Sequence, residues 1–484
     1  MDRGPGHGGE AGLNQTPTSF RLTFHGGTDE VTGSRHLVEF GDTRLFLDCG
    51  LYQGHRHEAL VKNRTFPVDP KTIKAVLLSH AHIDHSGGLP LLVKEGFAGP
   101  IHCTDATAEL LKIMLMDSAM IQEEDAKFFN KLHAAEGLTI DPLYTQEDVE
   151  HTLALLEPRP YGAPISIADG VDASFSNAGH VLGSAMVHVG IKTLKRKRHL
   201  LFTGDLGRRE SILMEPPKIP AHVDYLITES TYGGRRHAPI AEAESFLADV
   251  INRSEKDEGP ILIPSFALER TQELVFILGK LLLEKRIKPI HIYVDSPMAI
   301  DITEIFEKNR EHISLSEEFR RNAGREGDPF GLKTVRYVRS VEGSKKLTGT
   351  PGRKIIMAGS GMCEGGRILH HLRHLVGQDN TTILIVGHQA HGTLGRRLVE
   401  GAKQVRIFGL NHDVAAQVRV MSHLSSHADQ DDLAWFVRGL SPRPVQTFLV
   451  HGDAPQREAF MERLRGEGIN RLVAPRGGDS FELD

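Results

Sequence analysis

Three histidines and one aspartate lie within a six-residue stretch, as His80, His82, Asp84 and His85. The stretch follows the apolar residues 75–78 and precedes two glycines and a proline, a pattern typical of a buried strand that ends in a tight loop. Imidazole and carboxylate ligands without a thiolate suit zinc or another first-row ion in a catalytic site. Because neighbouring loop side chains point in different directions, two adjacent ions would use them more easily than one. The alternative is a surface histidine run with adventitious metal affinity, although such a run does not usually follow a buried strand.

Other histidines and carboxylates also stand where predicted strands end. Asp48 closes a strand of the alternating pattern that begins near residue 20, and His180 and Asp205 each follow a later strand pattern. Taken alone, each of the three would more often be an ordinary turn residue. Their position nevertheless indicates that several strands must converge to place these side chains together.

Length and composition restrict the class of protein. A chain of 484 residues is too long for one ordinary core, which predicts two domains. The net charge of -6 excludes a chain that grips nucleic acid by bulk positive charge, so any polyanion site must be a local basic groove. Three widely spaced cysteines argue against a disulfide framework and fit a reducing compartment. With neither a signal-peptide core nor a membrane-length apolar run, the chain is expected to be cytoplasmic.

The pattern of predicted elements changes near residue 220. Before it, short strands flank residues 105–160, which carry helical patterns and place Thr145 and Asp148 at the spacing of a capping box. After it, strands and helices alternate in the rhythm of a doubly wound α/β sheet, with residues 309–350 as its most irregular part. This change predicts a second domain of a different architecture.

The His80-x-His82-x-Asp84-His85 stretch resembles the signature of the metallo-β-lactamase superfamily of binuclear metallohydrolases. Four further motifs, in chain order, resemble the β-CASP nucleases, the branch that includes ribonuclease J and the endonuclease of messenger-RNA 3′-end processing. These motifs are Glu229-Ser230-Thr231-Tyr232-Gly233, Pro264-Ser265-Phe266-Ala267-Leu268-Glu269-Arg270, Gly359-Ser360-Gly361-Met362-Cys363 and Gly392-Thr393-Leu394-Gly395-Arg396. The resemblance covers about residues 19–484 and is to the short bacterial and archaeal members.

The resemblance implies an α/β fold class, with an αββα metallo-β-lactamase fold that carries an inserted α/β β-CASP domain. The expected boundaries are a disordered N-terminus over 1–18, metallo-β-lactamase segments over 19–215 and 400–484, and the insert over 216–399. The active site would lie in the cleft between the two domains, and the RNA-specificity motifs would lie in the C-terminal segment.

The resemblance also implies two Zn²⁺ per chain and assigns their ligands. The first ion would be held by His80, His82, His180 and Asp205, and the second by Asp84, His85, Asp205 and His451. Asp205 would bridge the two ions. Asp48 would brace the histidine loop through hydrogen bonds, the alternative being a plain turn aspartate.

The implied catalytic residues are Asp84, Glu229 and His427. A histidine that is oriented by a carboxylate can supply a proton to a leaving oxyanion near neutral pH, and His427 with Glu229 has that chemistry. The candidate phosphate contacts, by hydroxyl, guanidinium or backbone amide, are Ser425, Arg270, Gly361 and Thr393. Arg270 could instead pair with a carboxylate on its own helix.

The preferred function is hydrolysis of single-stranded RNA by a zinc-dependent ribonuclease, endonucleolytic, 5′-to-3′ exonucleolytic or both. RNA is preferred to DNA because DNA-directed relatives carry an apolar residue where this chain has His451. The alternatives are a DNA nuclease, a hydrolase of small thioesters or lactams, and a non-catalytic RNA-processing subunit. The resemblance further implies a homodimer.

Overall fold

A computed structural model of the protein describes residues 16–54, 56–314, 330 and 333–484. Residues 1–15 of the predicted disordered N-terminus lie outside the described residues, as do 315–329 and 331–332 in the predicted irregular segment. Among the described residues, no helix is long and apolar enough to span a membrane. All three cysteines are buried free thiols.

The strands, in chain order, are β1 (Phe20–Gly26), β2 (Arg35–Phe40), β3 (Thr43–Leu47), β4 (Ala75–Leu77), β5 (Ile101–Cys103), β6 (Leu156–Pro158), β7 (Ile165–Ala168), β8 (Val171–Asn177), β9 (Ala185–Lys192), β10 (Lys197–Phe202), β11 (Tyr225–Glu229), β12 (Ile261–Pro264), β13 (Ile292–Val294), β14 (Val335–Tyr337), β15 (Ile355–Ala358), β16 (Thr382–Ile385), β17 (Gln404–Ile407), β18 (Leu410–Asp413), β19 (Gln417–Val420), β20 (Gln446–Val450), β21 (Leu472–Val473) and β22 (Ser480–Leu483). The helices are α1 (Arg56–Asn63), α2 (Ile83–Ser86), α3 (Leu89–Lys94), α4 (Asp105–Leu132), α5 (Gln146–Leu153), α6 (Ile240–Asp257), α7 (Arg270–Leu283), α8 (Pro297–Lys308), α9 (Val341–Gly349), α10 (Arg367–Leu375), α11 (Leu394–Val399), α12 (Gln430–Gly439) and α13 (Ala454–Gly466).

Two seven-stranded sheets face each other, in the strand orders β22-β1-β2-β3-β4-β5-β6 and β21-β20-β11-β10-β9-β8-β7. Apolar side chains from both sheets form the core between them; the rings of Phe24 on β1 and Phe448 on β20, for example, lie 5.1 Å apart. Helices cover the outer faces, α3 to α5 on the first sheet and α12 and α13 on the second. This is an αββα sandwich, and the predicted α/β fold class is confirmed.

A third sheet, in the order β14-β13-β15-β12-β16-β19, is built from chain that leaves the sandwich and returns to it. The strands β11 and β20 pair side by side in parallel, although more than 200 residues separate them in the chain. The third sheet is therefore an insertion between two neighbouring strands of the sandwich. Apolar residues of α4 and α8 belong to one continuous core, so the two parts do not have wholly separate cores.

Two local outcomes bear on the sequence analysis. The capping box is present, since the Thr145 hydroxyl accepts from the Asp148 amide and the Asp148 carboxylate accepts from the Thr145 amide. The strand β19 pairs with β16 of the third sheet, whereas the sequence analysis placed residues 400–484 with the sandwich. A four-residue strand has no local signal of the sheet that it will join. The domain boundaries themselves stay predictions.

Candidate metal centre and catalytic site

The side chains of the site come from loops at the ends of sandwich strands. The histidine stretch follows β4, and α2 holds Asp84 and His85 on its single turn. Asp48 after β3 and His451 after β20 both adopt a positive φ, at 61° and 49°. A left-handed backbone is uncommon for residues other than glycine and is typical of functional sites, where the surrounding structure holds it in place. At Asp48 and His451 the left-handed backbone turns the chain sharply at the strand end, toward the site.

The first cluster of ligand atoms contains His80, His82, His180 and Asp205, whose atoms lie close enough to hold one ion. The Nδ1 atom of His82 lies 3.1 Å from Nε2 of His80 and 3.3 Å from Nε2 of His180. The Oδ2 atom of Asp205 lies 3.6 Å and 3.5 Å from the same two Nε2 atoms. Burial lowers the pKa of all three histidines. Neutral imidazoles therefore direct their nitrogens at one point.

The second cluster contains Asp84, His85 and His451. The Nε2 atoms of the two histidines lie 3.2 Å apart, and Nε2 of His451 lies 3.6 Å from Oδ2 of Asp84. Burial raises the pKa of Asp84, but the neighbouring histidines outweigh it and lower this pKa to about 2. The Oδ1 atom of Asp205 lies 3.3 Å from Nε2 of His85, so the two oxygens of Asp205 face different clusters.

The donor sets fit metal ions on physical grounds. Three ring nitrogens converge in the first cluster, and neutral imidazoles cannot satisfy such an arrangement by hydrogen bonds alone because each has one N–H. Buried Asp205 has one oxygen, Oδ1, without a hydrogen-bond partner. Imidazole and carboxylate donors of this kind are the ones that zinc takes in catalytic sites. The seven predicted ligand residues thus lie together in two clusters, and Asp205 of the first also faces His85 of the second.

Asp48 lies behind the second cluster and is buried. Its carboxylate is 2.6 Å from Nδ1 of His85 and accepts from the amide and the hydroxyl of Ser79, at 2.7 and 2.9 Å. A proton on Nδ1 leaves Nε2 of His85 free to face the cluster. These contacts favour the bracing interpretation of Asp48 over that of a plain turn residue.

His427 and Glu229 meet beside the first cluster. The Nδ1 atom of His427 lies 3.2 Å from both carboxylate oxygens of Glu229. Glu229 is fully buried at the end of β11, and its carboxylate accepts from the amides of Leu206 and Thr231, at 2.6 and 3.3 Å. Burial lowers the pKa of His427, but the carboxylates of Glu229 and Asp205 outweigh it and raise this pKa to about 9. Glu229 thus favours the protonated form of the His427 imidazole.

The four predicted phosphate contacts have different surroundings. Ser425 accepts from the amide of His427 and so lies next to the site. Thr393 caps α11, because its hydroxyl accepts from the amide of Arg396. Gly361 lies in a loop of the insert, and its carbonyl accepts from the side-chain amide of Gln389.

Arg270 is buried, with 8% of its surface exposed, and its Nη1 atom lies 3.1 Å from a carboxylate oxygen of Glu273 on the same helix. Of the two alternatives for Arg270, the pairing within its helix is the one present. The phosphate contact of Arg270 stays a prediction.

One residue of the site was missed by the sequence analysis. Thr231 follows β11, and its hydroxyl lies 3.1 Å from Nδ1 of His451 and donates to the His451 carbonyl at 3.0 Å. It therefore helps to orient a predicted ligand. Its place two residues after Glu229 in a recognised motif was the available signal.

Family models match three consecutive parts of the chain. A model of the metallo-beta-lactamase superfamily matches residues 29–243, the Beta-Casp domain model matches 271–398, and a model described as a Zn-dependent metallo-hydrolase RNA specificity domain matches 411–475. The chain is 35% identical to Ribonuclease TTHA0252 of Thermus thermophilus, over 93% of this chain and 97% of that one. The chain belongs to the β-CASP family of the metallo-β-lactamase superfamily. The predicted family is confirmed.

Two further similar β-CASP relatives are archaeal proteins named Transcription termination factor FttA. That of Methanosarcina mazei is 31% identical over 90% of this chain and 67% of its own length. That of Methanocaldococcus jannaschii is 31% identical over 96% and 72%. A crystal structure of a protein of unknown function from Enterococcus faecalis has the same fold, with a TM-score of 0.52, 14% identity and coverage of 96% of this chain and 100% of that one.

Proposed function

We propose that this β-CASP protein is a zinc-dependent ribonuclease that hydrolyses phosphodiester bonds of single-stranded RNA in RNA processing or decay. The observation that carries the proposal is the pair of histidine and aspartate clusters, with His427 and Glu229 beside them. Asp205 belongs to the first cluster, and its Oδ1 atom lies 3.3 Å from Nε2 of His85 in the second. The similar proteins named as a ribonuclease and as transcription termination factors support RNA as the substrate. So does the RNA specificity model, whose match over 411–475 includes His427 and His451.

Two zinc ions, held by the residues of the two clusters, would polarise the phosphodiester and acidify a water molecule. The protein's own groups have separate tasks. Asp48 fixes the ring orientation of His85, and Thr231 that of His451. Asp84 adds its carboxylate to the second cluster. Burial lowers the pKa of His80, His82 and His180, which favours the unprotonated nitrogens that a metal ion needs.

His427 supplies the proton that the leaving oxygen of the RNA needs. Glu229 is well placed to hold the proton on Nδ1, because two backbone amides fix its carboxylate and both of its oxygens face that nitrogen. The raised pKa keeps this imidazole protonated near neutral pH, so that it can donate as a general acid.

The test is incubation of purified protein with end-labelled single-stranded RNA, with and without a chelator, together with metal analysis. We expect about two zinc ions per chain, cleavage that the chelator stops, and loss of cleavage in Asp205→Asn. A metal content near zero in unchelated protein would contradict the metal centre. The product ladder distinguishes endonucleolytic from 5′-to-3′ exonucleolytic cleavage.

The same assay separates the alternatives. Preference for a DNA strand of matching sequence would indicate a DNA nuclease, and hydrolysis of thioesters or lactams but not RNA would indicate a small-molecule hydrolase. RNA binding without cleavage by the metal-loaded protein would indicate a non-catalytic subunit. A cytoplasmic location and a homodimer stay predictions, to be checked by fractionation of cells and by light scattering.

A further inference from the structure

Phe266 is an exposed aromatic residue on a rigid loop of the inserted domain. It follows β12, and 40% of its surface is exposed. The loop is fixed by its backbone, since the amide of Ser265 donates to the Ala358 carbonyl at 3.0 Å and the hydroxyl of Thr271 donates to the Phe266 carbonyl at 2.7 Å. The ring is therefore presented at a fixed position and is not on a mobile segment.

The inner face of the Phe266 ring packs against two glycines. A β-carbon on Gly361 would lie 2.8 Å from the ring, and one on Gly387 would lie 3.2 Å from it. Both glycines stand just beyond the ends of β15 and β16, the two strands that flank β12 in the third sheet. The buried side-chain amide of Gln389 donates to both of their carbonyls, at 2.9 and 3.2 Å, and ties the two loops together. Only residues without a side chain allow the ring to rest on backbone in this way.

The loop that carries Gly387 and His388 lies within electrostatic reach of the loops that follow Glu229 and His451. His388 follows Gly387, and burial together with the charges of Arg235 and Arg396 lowers its pKa, against the opposite effect of Asp453. Asp453 lies two residues after His451, and Arg235 lies in the loop that follows Glu229. Two arginines therefore lie near the loop that supports the ring, and their positive charge suits a polyanionic ligand.

We infer that Phe266 is a stacking platform for one nucleobase of the RNA strand, a subsite that rests on the proposed function. Aromatic side chains bind unpaired bases by stacking, and this contact tolerates any base because every base has a π-face. The ring of Phe266 rests on two glycines in a hydrogen-bonded loop, and arginines near the adjoining loop can bind the phosphates, so the site has these properties. An isolated exposed phenylalanine is common on protein surfaces, and the test must distinguish the two cases.

The test is a double-mutant cycle between the ring and the bases of the ligand. A set of short single-stranded RNAs carries one abasic nucleotide at successive positions, and binding is measured by fluorescence anisotropy without cleavage, in chelated protein. Phe266→Ala should weaken binding of the intact RNA by about 5- to 150-fold, and Phe266→Tyr should bind like the wild type. An abasic nucleotide at one position should weaken binding to the wild type but have little further effect on Phe266→Ala.

Phe128→Ala is the matched control. Phe128 is 69% exposed and lies on α4. The N-terminal turn of this helix contacts the loop that carries His180. Phe128 lies some 24 residues further along the helix, a distance of about 36 Å. It should leave binding unchanged. Equal binding by Phe266→Ala and the wild type, or equal abasic effects in both, would overturn the platform. Failure of the wild type to cleave RNA would instead contradict the proposed function, while the binding cycle would still test the platform.

Discussion

At the scale of single residues, His427 is the group whose role chemistry can test most directly. A nucleotide alkoxide is a poor leaving group, so His427→Ala should lower the rate on RNA by about 100- to 10,000-fold. The loss should be small on bis(4-nitrophenyl) phosphate, because nitrophenolate departs without a proton. Rates on both substrates, with the metal content of each variant, give the result.

Glu229→Gln is the companion variant, since it keeps the shape of the side chain and removes the charge that faces Nδ1 of His427. It should follow the pattern of His427→Ala to a lesser degree. Equal losses on both substrates by a His427→Ala protein that keeps its metals would show that the histidine positions substrate or metal and that the acid is another group.

Arg270 gives a second prediction at this scale. Because its guanidinium is buried and pairs with Glu273, Arg270→Ala should destabilise the protein by roughly 3–5 kcal/mol, since it leaves a buried carboxylate unpaired. The dependence of RNA binding on salt should stay as in the wild type. Urea unfolding and a salt series of binding constants measure the two effects. A flatter salt dependence in Arg270→Ala would instead indicate that Arg270 contacts a phosphate, the other alternative of the sequence analysis.

At the scale of elements, Asp295 joins β13 to α9 and α10 inside the inserted domain. Its buried carboxylate accepts from the hydroxyl of Ser344, from Nε2 of His371 at 2.7 Å and from Arg367 at 2.6 Å. Burial raises the pKa of Asp295, but these partners outweigh it and lower this pKa below its ordinary value. Asp295→Ala should therefore cost roughly 3–5 kcal/mol of unfolding free energy near neutral pH.

The sign of the pH dependence follows from the lowered pKa. The stabilisation from Asp295 is present above the unfolded pKa of 3.8 and is lost as the pH falls through the lower folded value. The difference in unfolding free energy between wild type and variant should thus shrink in acid. Asp249→Ala, at a surface pair with Arg253, is the control and should change stability by less than about 1 kcal/mol. A cost for Asp295→Ala no larger than the control would contradict the role of the network.

At the scale of the whole molecule, the net charge of -6 sets the expectation for RNA binding. Binding should be local and electrostatic, so the logarithm of affinity for a short RNA should fall linearly with the logarithm of salt concentration, with a slope that corresponds to a few phosphates. Affinity that does not depend on salt would show that the contacts are mainly to bases. A neutral peptide nucleic acid of the same sequence is a useful control, because it should bind weakly at every salt concentration.

The sequence by itself determined what depends on residue type and on near neighbours in the chain. The ligand chemistry of His80 and His82 and the capping box at Thr145 need only a few consecutive residues, which propensity and spacing describe. The order of motifs was equally visible, and with it the family. Proximity of His427 to Glu229 came only from the resemblance, because 198 residues separate them.

Only the tertiary structure decided which groups meet. Parallel pairing of β11 with β20 carries Glu229 and His451 to the same edge of one sheet. The spacing along the helix allowed Arg270 to pair with Glu273, but only the structure shows that both side chains are buried. The ring of Phe266 likewise rests on two glycines in loops that follow other strands. The strand β19 joins a sheet that its own residues do not specify. Such contacts join residues far apart in the chain, and their free energy depends on the packing of the whole fold, which local patterns do not contain.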